Sequence, residues 1–290
     1  MFNKIDDYLD ELRKELSGSD PALIQDALFD AEEHLRNALE EAQTVKPDIS
    51  ESEALPSIIE KYGTPKDTAS AYLEIEDYIS PTIKIRNKRK KPDTLPANFF
   101  GVIADSQTWK AFLYMIFSIT GLIYGTWGAV GLIFSIFTPF TILFFLSIRV
   151  ITLLEGRVVE ALLGIRMPRK PIFYHKTSGG LITRIKTLIT DPITWKSLAY
   201  MIMQFPLGLI YAVTPLILMV VSIKFILYPL LDPVFGRPLI TIKETAYFAP
   251  VWTFPLIFAV GIILLFSTMH LVKVIGKLHG RYAKTMLVKK

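Results

Sequence analysis

Glu155, Arg157 and Glu160 form the sole close grouping of carboxylates in the apolar two-thirds of the chain, and they follow directly on a long uncharged stretch. Two carboxylates flanking a guanidinium at a lipid boundary are the minimum for proton transfer or for recognising a lipid head group. The interfacial position favours a plainer role, in which the carboxylates balance Arg157 and neighbouring basic groups. His34, His175, His270 and His279 are scattered and lack the spacing of a metal site. Histidine is the residue type suited to a pH-sensing switch, but no carboxylate adjoins His270 or His279 in the sequence. Cysteine is absent, which excludes disulfides, thiol catalysis and thiolate-held metal. Ser178-Gly179-Gly180 lacks the lysine and strand context of a phosphate loop, and no kinase or ATPase motif is present. The expectation is a protein without catalytic residues, cofactor or metal.

The elements that hold these residues are set by charge and hydropathy. Residues 1–80 carry 7 Lys/Arg and 20 Asp/Glu, net −13, while the rest carries 25 and 7, net +18. Two environments follow. Ala111 to Ile148 is 38 residues without a charge, and one crossing of the hydrocarbon core needs about 20. Ser197 to Ile223 is again uncharged, and Thr245 to Val272 is broken only by His270. Four crossings are expected, near 109–128, 130–152, 195–223 and 247–272. The first turn is expected near Gly125-Thr126-Trp127-Gly128, and Lys224 to Glu244, with Asp232-Pro233 and Gly236-Arg237-Pro238, reads as a loop. Gly121, Gly125, Gly128 and Gly131 also suit close helix packing. Lysine and arginine crowd the flanks 84–91, 149–196 and 273–290, against Lys224, Arg237 and Lys243 on the other side. The fold class is therefore all-α. Both termini are expected in the cytoplasm, in a multi-pass cell-membrane protein whose basic flanks attract anionic lipids.

The two hairpins repeat each other. Asp105, Trp109 and Lys110 are matched by Asp191, Trp195 and Lys196, and Tyr114-Met115-Ile116 by Tyr200-Met201-Ile202. Leu154-Glu155-Gly156-Arg157 is matched by Leu278-His279-Gly280-Arg281. Asp105 and Asp191 suit helix N-caps. Trp109 and Trp195, with Lys110, Lys196, Arg157 and Arg281, suit membrane-interface anchors. Leu181 to Ile189 has the pattern of a short helix on the membrane surface.

Residues 1–80 read as an acidic cytoplasmic module of short helices, and 81–104 as a basic linker and membrane-surface segment before the domain at 105–290. Ile5, Leu9, Leu12 and Leu16 share one helical face; Asp20-Pro21 starts a second helix and Ser50-x-x-Glu53 a third, which ends at Gly63. Thr64-Pro65 opens a fourth. The acidic head is expected to dock on the basic inner loop, with 84–91 as a competing contact.

The run Asp7-Tyr8-Leu9-x-x-Leu12 and the stretch Ile58 to Ala69, with Gly63-Thr64-Pro65, resemble the HAAS signalling domain. Asp191-Pro192-x-Thr194-Trp195, Phe205-Pro206-Leu207-Gly208 and Leu153 to Arg157 are similar to the "putative sensor domain" membrane family. The first hairpin departs from that pattern, with Ile119-Thr120-Gly121 in place of Pro-Leu-Gly. The resemblance implies membrane signalling, with a cytoplasmic partner such as a PadR-type transcription regulator or a kinase, no direct nucleic-acid contact, and room for an oligomer. The alternatives are an accessory permease subunit, and a lipid-modifying enzyme built on Glu155, Arg157 and Glu160.

Overall fold

The computed structural model describes residues 2–79, 99–135, 138–169, 186, 188–236 and 238–288. The basic stretch 84–91 and most of the expected surface helix 181–189 lie outside the described residues.

Four helices make the head: α1 (Ile5–Glu15), α2 (Pro21–Val45), α3 (Glu51–Tyr62) and α4 (Pro65–Ile79). Their boundaries follow from local chemistry. Asp20 accepts from the Ala22 amide and Pro21 fills the first helical position of α2. The Ser50 amide donates to the Glu53 carboxylate at 3.3 Å, and α3 ends at Gly63, whose φ of 110° favours glycine. Ile5, Tyr8 and Leu12 from α1, with Leu16 at its C-cap, close over Ala27, Ala31 and Leu35 of α2 and Leu55 of α3. Each fully buried leucine contributes about 1.5–3 kcal/mol. The buried Tyr8 hydroxyl donates to the Gly63 carbonyl at 3.0 Å and lies 2.9 Å from Thr68 Oγ1, tying α1 to the α3–α4 junction.

Tyr62 stacks on His34, and burial, with Tyr8 and Asp30 adding to it, pushes its phenol up to about 12. The folded value exceeds the unfolded value of about 10. Its contribution is therefore intact below pH 10 and is lost as pH rises toward 12. Phenolate absorbance should show a class titrating in that window, which Tyr62→Phe removes while extending the helicity of the head to higher pH.

The apolar part is nearly all helical. It contains α5 (Ser106–Phe117), a 3-10 turn (Ser118–Thr120), α6 (Gly121–Phe134), α7 (Thr138–Leu163), α8 (Pro192–Phe235) and α9 (Phe254–Leu287). Among the described residues, three stretches are long and apolar enough to cross a membrane: Ser106–Phe134, Pro192–Phe235 and Val251–Leu287.

Three expectations change. Gly125 to Gly128 lie inside α6, not in a turn. All four glycines are buried there because close packing, not backbone freedom, selects them. A methyl on Gly125 would meet the Met201 carbonyl of α8 at 2.9 Å, and one on Gly131 would meet the Phe144 ring of α7. α6 and α7 pack against each other, and Trp127 Nε1 donates to Ser147 Oγ at 2.8 Å between them. Second, Lys224 does not end the third helix. α8 runs 44 residues, about 66 Å, through Pro229 and Pro233, to a left-handed cap at Gly236. Prolines and charges mark a boundary only where nothing else continues the backbone ladder. Third, the all-α class gains a small hairpin, β1 (Ile240–Ile242) against β2 (Thr245–Tyr247), antiparallel with Thr241 opposite Ala246.

Candidate functional site

The repeat in the sequence is a repeat in contacts. Trp109 Nε1 donates to the Ile103 carbonyl at 2.7 Å, and Trp195 Nε1 to the Ile189 carbonyl at 2.7 Å. Both indoles stay partly exposed, beside the exposed Lys110 and Lys196. Asp105 Oδ1 caps α5 and Asp191 Oδ1 caps α8. The second oxygen of each crosses to the other hairpin: Asp105 Oδ2 pairs with Lys273 at 2.6 Å, Asp191 Oδ2 with Arg149 at 2.7 Å. A methyl on Gly121 would press on the Gln204 carbonyl, and one on Gly208 on the Ser118 carbonyl. Contacts that exchange partners in this way are those of an approximate two-fold relation.

Where the halves meet, polar side chains are buried together. Glu155 comes from α7, Tyr114 from α5, Tyr200 and Gln204 from α8, and His279 from α9; each is at most 8% exposed. Tyr114 donates to Glu155 Oε1 at 2.7 Å and Tyr200 at 3.2 Å. His279 Nε2 lies 2.6 Å from the Tyr114 hydroxyl and 3.1 Å from that of Tyr200. Gln204 Nε2 reaches Tyr124 Oη at 3.1 Å, Tyr200 Oη at 3.2 Å and Glu155 Oε1 at 3.3 Å. Tyr211 and Tyr282 set ring edges against His279.

Proton accounting orders this network. A tyrosine hydroxyl has one proton and a carboxylate only accepts. With both hydroxyls donating to Glu155, His279 Nε2 carries the proton and donates to them. This tautomer is assigned from the bonding pattern. Nδ1 is buried and takes no hydrogen bond, so a second proton there would have no acceptor. The imidazole in this arrangement is neutral, and two hydroxyls shield it from Glu155.

The expected trio of Glu155, Arg157 and Glu160 does not form. On a helix, residues two and five apart point about 200° and 140° away from the first. Glu155 faces inward. Arg157 is exposed, donates to the Arg169 carbonyl at 2.8 Å and lies 3.8 Å from Glu160, which also lies 3.4 Å from Arg169. Arg281 is exposed as well. The histidine without a sequence-adjacent carboxylate, His279, is the one that joins Glu155 through two tyrosines. The signal was the repeat itself, which matches Glu155 with His279 and Tyr114 with Tyr200. The repeat also matches Tyr124, in Gly121-Leu122-Ile123-Tyr124, with Tyr211, in Gly208-Leu209-Ile210-Tyr211, and both reach the cluster; Gln204 carries no such mark.

A cleft of about 320 Å³ opens between α5 and α7. Tyr114 and Glu155 line it, with Phe117, Ser118, Thr120, Val158, Ala161 and Leu162. The wall is apolar except around Ser118, Thr120, Tyr114 and Glu155.

The head seats on the helix ends nearest this cluster. Asp20 caps α2 with Oδ1 and pairs with Lys284 of α9 through Oδ2 at 2.5 Å. Asp26, 6% exposed, accepts from the Arg169 amide at 2.7 Å and lies 3.6 Å from the Arg166 guanidinium. Burial holds Arg166 below its ordinary value, with Asp26 opposing that shift. Ala22 shares a buried cluster with Leu163, Met167, Ala283 and Leu287. The head thus meets both the start of the basic loop after α7 and the end of α9.

Comparison with known proteins agrees with this division. The family model described as "Putative sensor" matches residues 121–287, and that described as HAAS matches residues 7–71. No curated protein and no solved structure matches the chain. A helical membrane part built on two related hairpins, with a HAAS domain over residues 7–71, places this chain in the "Putative sensor" family.

Proposed function

We propose that the protein is a non-enzymatic membrane sensor that couples a signal received among α5 to α9 to a cytoplasmic regulator through its acidic head. The observation that carries this reading is the seating of α2. Asp20 holds the end of α9, which carries His279, Asp26 holds Arg166 and Arg169 just past the end of α7, which carries Glu155, and Ala22 packs in one buried cluster with Leu163 of α7. A shift of α9 therefore reaches the head directly, and a shift of α7 reaches it through Leu163 and the short segment that follows. In this reading α7, 26 residues long, is the fourth crossing, and the basic flanks place both termini in the cytoplasm. Three of its four charged side chains, Glu155, Arg157 and Glu160, lie in the half nearest the head, and Arg149 lies just before the midpoint. The partner is a PadR-type regulator or a kinase, as the resemblance implies.

Native-membrane crosslinking and purification of the full chain tests the coupling. Capture of a cytoplasmic regulator through the head supports it. Recovery of a permease with its ATPase instead would make the protein a transport subunit.

Head seating has its own test, helped by the absence of native cysteine. Spin labels on Glu41→Cys and Thr245→Cys should give one narrow distance distribution. Asp26→Ala removes the carboxylate that meets Arg166 and the Arg169 amide and should broaden that distribution. An unchanged distribution would mean that Asp26 does not hold the head.

A further inference from the structure

We infer that the cleft between α5 and α7 is a binding site for a single-chain amphiphile with a primary ammonium head, received by Glu155. The other carboxylates at this end of the helices have cations: Asp105 has Lys273, Asp191 has Arg149, and Glu160 has Arg157 and Arg169. Glu155, 8% exposed, has no ion pair among the described residues, and its network supplies only neutral donors. A carboxylate removed from water needs a proton or a cation. Arg157, two residues on, faces the other way, and His279 is separated from Glu155 by hydroxyls.

Geometry adds the rest. The hydrogen bonds from Tyr114, Tyr200 and Gln204 all go to Oε1, which leaves acceptor capacity on the carboxylate. Glu155 lines the cleft, so a donor arriving there can use that capacity. The walls beyond it are Phe117, Val158 and Leu162, which suit an alkyl chain. Leu162 lies at the level of Gln107, whose amide donates to the Leu162 and Leu163 carbonyls. The cleft thus runs from the helix ends near the head toward the 3-10 turn at Ser118–Thr120. A primary ammonium supplies the absent charge and the N–H donors together; an alcohol supplies only a donor, and a fatty acid adds a like charge.

This site deepens the sensor reading and rests on it only for what the bound molecule would signal. Binding is measured without any partner, so its failure leaves regulator capture untouched. The full chain in zwitterionic phosphatidylcholine nanodiscs is titrated at pH 7 with dodecylamine, dodecanol and dodecanoate. Dodecylamine is expected to bind at least tenfold more tightly than dodecanol, and dodecanoate more weakly than either. Glu155→Gln should bring the amine down to the level of the alcohol. Ala161→Trp, an exposed position on the cleft wall, should weaken amine and alcohol alike and covers the case in which Glu155→Gln does not fold. Equal affinity for amine and alcohol, an amine preference that survives Glu155→Gln, or binding indifferent to Ala161→Trp would each overturn the assignment.

Discussion

Arg149→Ala is expected to destabilise the membrane part by about 3–5 kcal/mol, because it removes the guanidinium that pairs with the buried Asp191. Both side chains of the pair are 6% exposed, and the guanidinium also donates to Thr194 Oγ1 at 2.7 Å. The matched pair in the other half provides the control. Lys273 and Asp105 are about one-third exposed, so water screens them and Lys273→Ala should cost only about 0–1 kcal/mol. Thermal unfolding of the two variants in the same detergent makes the comparison. A double change, Arg149→Met with Asp191→Asn, should recover most of the loss, since asparagine still caps α8 and no charge is stranded. Equal effects of Arg149→Ala and Lys273→Ala would show that burial does not set the value of these pairs.

Gly208→Ala is the second large effect. The added carbon would press directly on the Ser118 carbonyl, which belongs to the 3-10 turn between α5 and α6. A backbone oxygen cannot swing aside as a side-chain end can, so α5 and α8 must separate. Overpacking of this kind costs about 1–3 kcal/mol, occasionally more. The separation would also break the bond from Ser118 Oγ to the Gly208 carbonyl, one helical turn from Tyr114 and Gln204. Gly128→Ala is the contrast. Its new carbon would meet only side-chain atoms at 3.4–3.5 Å, an ordinary contact, and should be nearly neutral. Unfolding midpoints that do not separate the two substitutions would contradict the close approach at Gly208.

The contrast explains what was legible in the sequence. The helices of the head could be placed because their ends are written locally: Asp20-Pro21, Ser50 with Glu53, and Gly63 each satisfy a backbone need within three residues. The extent of α6 and α8 could not, because glycine and proline have two meanings. Gly125 is a turn residue or a contact residue depending on whether Met201 lies across from it, and the local sequence does not contain that neighbour. The same limit applies to the aspartates. Their capping role is local and was readable at Asp105 and Asp191, but the cross-hairpin bonds to Lys273 and Arg149 involve residues 168 and 42 positions away. Glu155 stands out by its type and its position, but its partners do not, because adjacency along a helix is not adjacency around it.

The reciprocal arrangement of the hairpins carries one more consequence. Two identical hairpins assembled as a homodimer would place two copies of the same group beside Tyr114 and Tyr200, either two glutamates or two histidines. Two like acids or two like bases would compete for the same protons. Joining the hairpins in one polypeptide lets the matched positions diverge, to Glu155 in one half and His279 in the other. The symmetrical frame thereby acquires polarity, an acidic face and an imidazole face, with the cleft opening on the acidic one. Covalent linkage is what makes the centre directional, and a chain cut between its halves could keep that direction only as an obligate heterodimer.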